Sequence, residues 1–179
     1  MNYKYWITIV FLLILSNVNS QKCKESTDPF TNEKTVEFQF KERLVFFELK
    51  DNVVRFEFEF NFSGERDFIF DKGTSIYFKF ASGKTLEIKS DRDCQPTIEN
   101  ARRATSAPGG FTFPDKNFTS YFLTFKLTKE ELDILSNEVI TYIRTPHVNG
   151  GHEDKEAKGW VKKKAKAIKQ GAECIISHL

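Results

Sequence analysis

The sequence is poor in the residues that most often carry catalytic or metal chemistry. It contains three histidines and three cysteines among 179 residues. A Ser-His-Asp triad or a zinc site therefore has few side chains to draw on, and the chain has neither a Gly-x-Ser-x-Gly nucleophile elbow nor an established zinc-binding motif. This composition weighs against hydrolase chemistry and favours a non-enzymatic function.

Net charge and long apolar runs are scarce as well. The 27 lysines and arginines nearly balance 25 aspartates and glutamates, for a formal charge of +2. Such a balance excludes nucleic-acid binding that depends on a strongly basic surface. The longest apolar run, residues 6–15, is too short to cross a bilayer as a helix, which takes roughly 20 residues.

That apolar run has the features of a secretory signal peptide. Lys4 precedes it, and Val18 and Ser20 place small residues at the −3 and −1 positions of a cleavage site. We therefore predict a signal peptide at residues 1–20 and a secreted or periplasmic protein that begins at residue 21.

The three cysteines then lie in a compartment that favours disulfides. One bond and one spare thiol is the simplest arrangement, and three pairings are open. We predict Cys94–Cys174, because that bond closes a long loop and ties the C-terminal segment to the rest of the domain.

The clearest pattern in the chain is the alternation of apolar and polar residues over 54–62. Val54 and four phenylalanines alternate with charged or polar residues, which is typical of a strand with one buried and one solvated face. Shorter segments with the same period predict further antiparallel strands, and the 19 phenylalanines of the chain would fill the core between two sheets.

Two helices complete the predicted fold. Thr128 followed by Glu131 matches a capping box at the start of a short helix, and apolar residues recur at helical spacing over 153–172. We predict a flexible segment at 21–34 and a single β-rich domain at 35–179, built as an antiparallel β-sandwich with a short helix and a C-terminal amphipathic helix. A small β-barrel is the alternative.

The loop that precedes the C-terminal helix contains the best candidate metal ligands. His147 and His152 flank a glycine-bearing loop, and Glu153 follows directly. Imidazole nitrogens and carboxylate oxygens are the ligands that Zn²⁺ prefers. A zinc site at His147, His152 and Glu153 is therefore one hypothesis, with two solvent-facing loop histidines as the simpler interpretation.

Two basic segments are candidate binding surfaces. Arg102 and Arg103 lie in an irregular stretch rich in proline and glycine, while Lys162, Lys163 and Lys166 belong to the lysine-rich C-terminal helix. A basic amphipathic helix suits an anionic membrane surface or an acidic partner. The alternative is that its apolar stripe packs on the sheets and its lysines only keep the outer face solvated.

These observations favour an exported, non-enzymatic binding or interaction module whose partner is an unknown protein or a small apolar ligand. A lipid- or hydrophobe-binding barrel is the second hypothesis, and a metal-dependent enzyme at the histidine loop is the third. Asn61 and Asn117 also match the N-glycosylation acceptor pattern, which matters only in a eukaryotic secretory pathway.

Overall fold

A computed structural model describes residues 23–101 and 116–179. The predicted signal peptide and the pair Arg102 and Arg103 lie outside these described residues. The elements in chain order are β1 (Lys24–Thr27), β2 (Lys34–Phe40), β3 (Val45–Lys50), β4 (Val53–Ser63), β5 (Ser75–Phe80), β6 (Thr85–Lys89), β7 (Thr97–Ala101), β8 (Lys116–Leu127), α1 (Lys129–Asn137), β9 (Ile140–Pro146), β10 (His152–Glu156) and α2 (Gly159–Ile176).

The strands form two antiparallel sheets, which confirms the predicted sandwich. One sheet has six strands in the order β1-β2-β3-β4-β8-β7, and the other has four in the order β10-β9-β5-β6. Each sheet therefore ends in two separate edge strands within the described residues, so the alternative of a closed barrel is wrong. Asp51 and Asn52 connect β3 to β4 with φ angles of 52° and 59°, the left-handed backbone that a tight hairpin turn requires.

Phenylalanine side chains fill the space between the sheets. Phe56 is fully buried and stacks on Phe47 and Phe125, with ring centroids 4.6 and 5.6 Å away. Phe78 of the smaller sheet lies 6.4 Å from the same ring. The alternation that predicts β4 thus places its phenylalanines where the two sheets meet.

Helix α2 covers β2 and β3, on the β1 side of the six-stranded sheet. It packs there through Gly171, which has no side chain to hold it away from the sheet. A Cβ at this position would contact the Phe47 ring, lying 2.6 Å from its Cε2, and would lie 2.9 Å from Phe38 Cδ1. The four-stranded sheet and the helix therefore together bury the inner face of the larger sheet.

The structure corrects the predicted bounds of the C-terminal helix. Residues 152–156 are strand β10, paired with β9, and α2 runs over Gly159–Ile176 instead of 153–172. The chain reverses in a turn where the His147 N–H donates to the Gly151 carbonyl and Gly150 has a φ of 79°. After this turn, residues 152–156 run back alongside β9, so that β9 and β10 form a hairpin.

The predicted flexible segment at 21–34 also contains regular structure. Its residues Lys24–Thr27 form β1, which pairs with β2 in the register Lys24↔Glu37 to Thr27↔Lys34. The four side chains of β1 are exposed, so no apolar pattern marks the strand. Backbone pairing to the free edge of β2 holds it in place.

The disulfide joins Cys23 to Cys174, so the predicted Cys94–Cys174 pairing is wrong. Because β1 lies beside β2 and α2 crosses β2, the cysteine before β1 meets the last turn of the helix. Cys94 is a free, buried cysteine that pairs through its backbone with Phe70.

The short helix confirms the predicted capping box. The Thr128 hydroxyl accepts from the Glu131 N–H at 3.2 Å, and the Glu131 carboxylate accepts from the Thr128 N–H at 2.8 Å. Over the described residues, neither helix combines the length and apolar character needed to cross a bilayer.

Candidate functional site

A groove of about 570 Å³ runs between α2 and the first half of β9. Its apolar lining includes Val139, Tyr142 and Ala165. Val139 and Tyr142 remain 58 % and 42 % exposed, although large apolar side chains are normally covered in a folded domain. The groove is therefore an apolar surface that no other described segment of the chain fills.

Lysines form the helical wall of this groove. Lys162, Lys166 and Lys169 line it and stand four and three residues apart, so they share one face of α2. The opposite face of the helix is buried through Ile168 and Gly171. The lysine-rich surface is thus a consequence of the same helical period that docks α2 on the sheet.

The electrostatic character of the groove is positive. Glu156 is its acidic residue, and Lys158 lies 2.8 Å from that carboxylate. Lys169 donates to the Asn137 carbonyl at 3.1 Å. Lys162 and Lys166 make no ion pair with the described part of the chain, so both amines are available to an anionic ligand.

The predicted binding residues separate into three groups. Lys162 and Lys166 line the groove, whereas Lys163 lies 5.3 Å from the centroid of the Trp160 ring on another side of α2. Arg102 and Arg103 fall outside the described residues. Sequence reasoning missed Val139 and Tyr142, whose exposure depends on how β9 lies beside the helix.

The candidate metal ligands occupy a different part of the molecule. His147 and His152 line one surface cavity of about 270 Å³, but each ring lies edge-on to an aromatic ring, that of Phe62 or Tyr77. Glu153 pairs with Lys155 at 2.9 Å. Within residues 23–101 and 116–179, no group of three or more potential ligands lies close enough to hold a metal ion.

The two glycosylation acceptor patterns differ in their surroundings. Asn61 is exposed on β4, whereas the Asn117 side-chain amide donates to Glu65 at 2.6 Å. A glycan on Asn117 would have to replace that hydrogen bond, so Asn61 is the more accessible acceptor.

A histidine near the C-terminus links α2 to the edge strand β1. The His178 ring has the Cys174 carbonyl 2.8 Å from Nδ1 and the Glu25 carboxylate 2.9 Å from Nε2. Both partners accept hydrogen bonds, so only the protonated ring can donate to both. They raise the pKa of His178 above its ordinary value of 6.5, with the bond to the Cys174 carbonyl as the largest cause.

We expect a His178→Ala substitution to lower stability in a pH-dependent way. Because the pKa of His178 is higher in the folded than in the unfolded state, its contribution is complete below about pH 6.5 and is lost as the pH rises through the folded value. Urea unfolding of both proteins should show the largest difference at pH 5.5 and a small one at pH 9. A difference that grows with pH would contradict the assigned hydrogen bonds.

Comparison with known proteins adds no assignment: no protein-family model matches the chain, and no curated protein or solved structure is significantly similar to it. A functional proposal therefore has to come from the surface of this molecule itself.

Proposed function

We propose that the protein is an exported, non-enzymatic binding module that holds a small amphipathic anion, such as a long-chain carboxylate, in the groove beside α2. The apolar part of this ligand would lie against Val139, Tyr142 and Ala165. Its acidic head would lie at the amines of Lys162 and Lys166.

One observation carries the proposal: apolar exposed side chains and available amines line the same groove. Its volume of about 570 Å³ is within the roughly 300–1,000 Å³ typical of small-molecule sites. An anionic head satisfies the lysines and an apolar body covers the exposed side chains. A neutral hydrophobe would leave the amines without a partner, and a small inorganic anion would leave the apolar lining in water.

Export is supported by the signal-peptide features of residues 1–20 together with the Cys23–Cys174 disulfide, since disulfides persist in oxidising compartments.

The groove beside α2 would also suit an acidic peptide or an anionic membrane as its ligand. The groove favours the small amphipath because its apolar side chains and its lysines line one cleft, whereas a membrane-binding helix presents an extended apolar face that inserts into the headgroup region.

Calorimetric titration of residues 21–179 with dodecanoate tests the proposal. We expect saturable binding that weakens about tenfold or more in a Lys162→Glu, Lys166→Glu variant, because two attractive charges become repulsive. A Lys24→Glu, Lys72→Glu variant, with the same charge change at exposed positions away from the groove, should bind like the unmodified protein.

Comparison of ligands separates this function from its rivals. Dodecanol should bind more weakly than dodecanoate, because it lacks the acidic head. Equal loss of affinity in the two charge-reversal variants would contradict the groove as the site. Binding of an acidic peptide or of anionic vesicles without binding of dodecanoate would overturn the choice of ligand.

A further inference from the structure

A second, smaller cavity lies on another side of α2, between the helix and both sheets. Its volume is about 140 Å³, and its apolar lining includes Phe58, Ile143 and Trp160. An apolar cavity of roughly 150 Å³ accommodates a molecule the size of benzene. The space therefore fits a body of about six carbon atoms by that comparison, which is smaller than the ligand proposed for the groove.

The Lys164 side chain is directed into the protein at this cavity, unlike the neighbouring lysines of α2. Its Nζ donates to the backbone carbonyl of Glu59 at 2.6 Å and lies 5.1 Å from the centroid of the Phe58 ring. Burial lowers the pKa of Lys164 to about 8. An ammonium group has three donors, so the bond to Glu59 leaves two of them for a ligand.

Thr145 supplies an independent polar group in the same cavity wall. Thr145 is only 2 % exposed, and its hydroxyl has no hydrogen-bond partner within the described chain. A buried hydroxyl without a partner costs stability and is uncommon in native proteins. A ligand atom that bonds to the Thr145 hydroxyl, after rotation of the side chain toward the cavity, would remove this cost.

The charged side chains that line the cavity are cationic. Lys164 and Lys155 line it, the latter paired with Glu153 at 2.9 Å, and no acidic side chain of the described residues lines it. The carboxyl group of Glu59 projects from β4 toward β8 instead, where it accepts from the Ser120 hydroxyl at 3.2 Å. Burial raises the pKa of Glu59, whereas the charge of the nearby Lys164 ammonium lowers it.

We propose that this cavity binds a small monocarboxylate with a compact apolar body, such as hexanoate. One carboxylate oxygen accepts from the Lys164 ammonium, the other accepts from the Thr145 hydroxyl, and the apolar body lies against Phe58 and Ile143. The site is separate from the groove beside α2 and does not depend on the function proposed there.

Trp160 provides the readout, because it lines the cavity and is the single tryptophan of residues 21–179. Titration of that protein with hexanoate at pH 6.5, where the Lys164 amine is protonated, should change the Trp160 fluorescence in a saturable way. We expect the dissociation constant to rise about tenfold or more for hexanamide, because the ionic hydrogen bond is lost.

Four variants locate the site. Lys164→Met should abolish the response, and Thr145→Val, which keeps the shape of the side chain, should weaken binding severalfold. Lys163→Met removes the adjacent amine and should leave the dissociation constant unchanged, as should the Lys162→Glu, Lys166→Glu groove variant. The proposal would be overturned if hexanoate gave no saturable response or if hexanamide bound equally well. It would also be overturned if the Lys164→Met and Thr145→Val variants both bound hexanoate like the unmodified protein.

Discussion

Replacement of Phe56 by alanine is expected to destabilise the protein by about 3–5 kcal/mol, the range measured for truncation of large buried aromatic residues. The Phe56 ring is fully buried and contacts rings of three other strands, with Phe47, Phe125 and Phe78 all within 6.4 Å between centroids. Its removal would leave a cavity between the sheets, where the backbone of four paired strands limits collapse.

Urea unfolding of Phe56→Ala measures this effect, and Phe30→Ala is the matched control. Phe30 is 94 % exposed, so its truncation deletes the same atoms from the protein surface and leaves no cavity in the core. We expect the control to change the free energy of unfolding by less than about 0.5 kcal/mol. Similar losses in both variants would show that Phe56 is not the centre of the core.

Loss of the disulfide is expected to have the next largest effect, about 2–5 kcal/mol. Cys23 and Cys174 are 151 residues apart in sequence, so the bond restricts nearly all of the described chain in its unfolded state. It also holds β1 and the end of α2 together, where the His178 hydrogen bonds lie. A Cys23→Ser, Cys174→Ser variant should therefore unfold at lower urea concentration.

Alkylation followed by mass spectrometry assigns the pairing independently of stability. Without a reductant, the denatured protein should take up one iodoacetamide, at Cys94, and reduction should release two further thiols. A single adduct at Cys23 would restore the Cys94–Cys174 pairing that the sequence suggests and would contradict the structure. Unchanged stability of the double serine variant would show that the bond does not constrain the unfolded chain.

The parts of the fold that sequence predicts are those where apolar residues have a clear period. Alternating phenylalanines identify β4, and the Thr128 and Glu131 pair identifies the start of α1, because local burial and local hydrogen bonds determine both. Period also predicts that α2 is amphipathic, since its buried residues Ile168 and Ala172 follow helical spacing.

The elements that the sequence does not predict are strands whose side chains bury little apolar surface. The residues of β1 and β10 are almost all polar or charged, so neither strand shows alternation. Each is stabilised by backbone pairing to an edge, and Asn149-Gly150, a common hairpin pair, is the local signal that predicts β10. The pairing of β1 with β2 brings Cys23 to the end of α2, where Cys174 lies. Because the sequence does not predict β1, cysteine spacing alone favours the wrong partner for Cys174.

The candidate groove is only partly predictable for the same reason. The charge and period of α2 identify Lys162 and Lys166, but the apolar wall depends on β9 lying beside the helix. Lys164 shows most clearly what the sequence does not predict. It is the third of three consecutive lysines that cannot be told apart in sequence, and only the packing of α2 places its amine at the Glu59 carbonyl.

Backbone NMR of the ¹⁵N-labelled protein during titration with dodecanoate tests the central claim most directly. We predict saturable shifts of the amide signals of Val139, Tyr142, Lys162 and Lys166, with the strand β1 unaffected. Shifts confined to the cavity at His147 and His152 or to residues 102–115 would contradict the assignment of the groove beside α2 as the binding site.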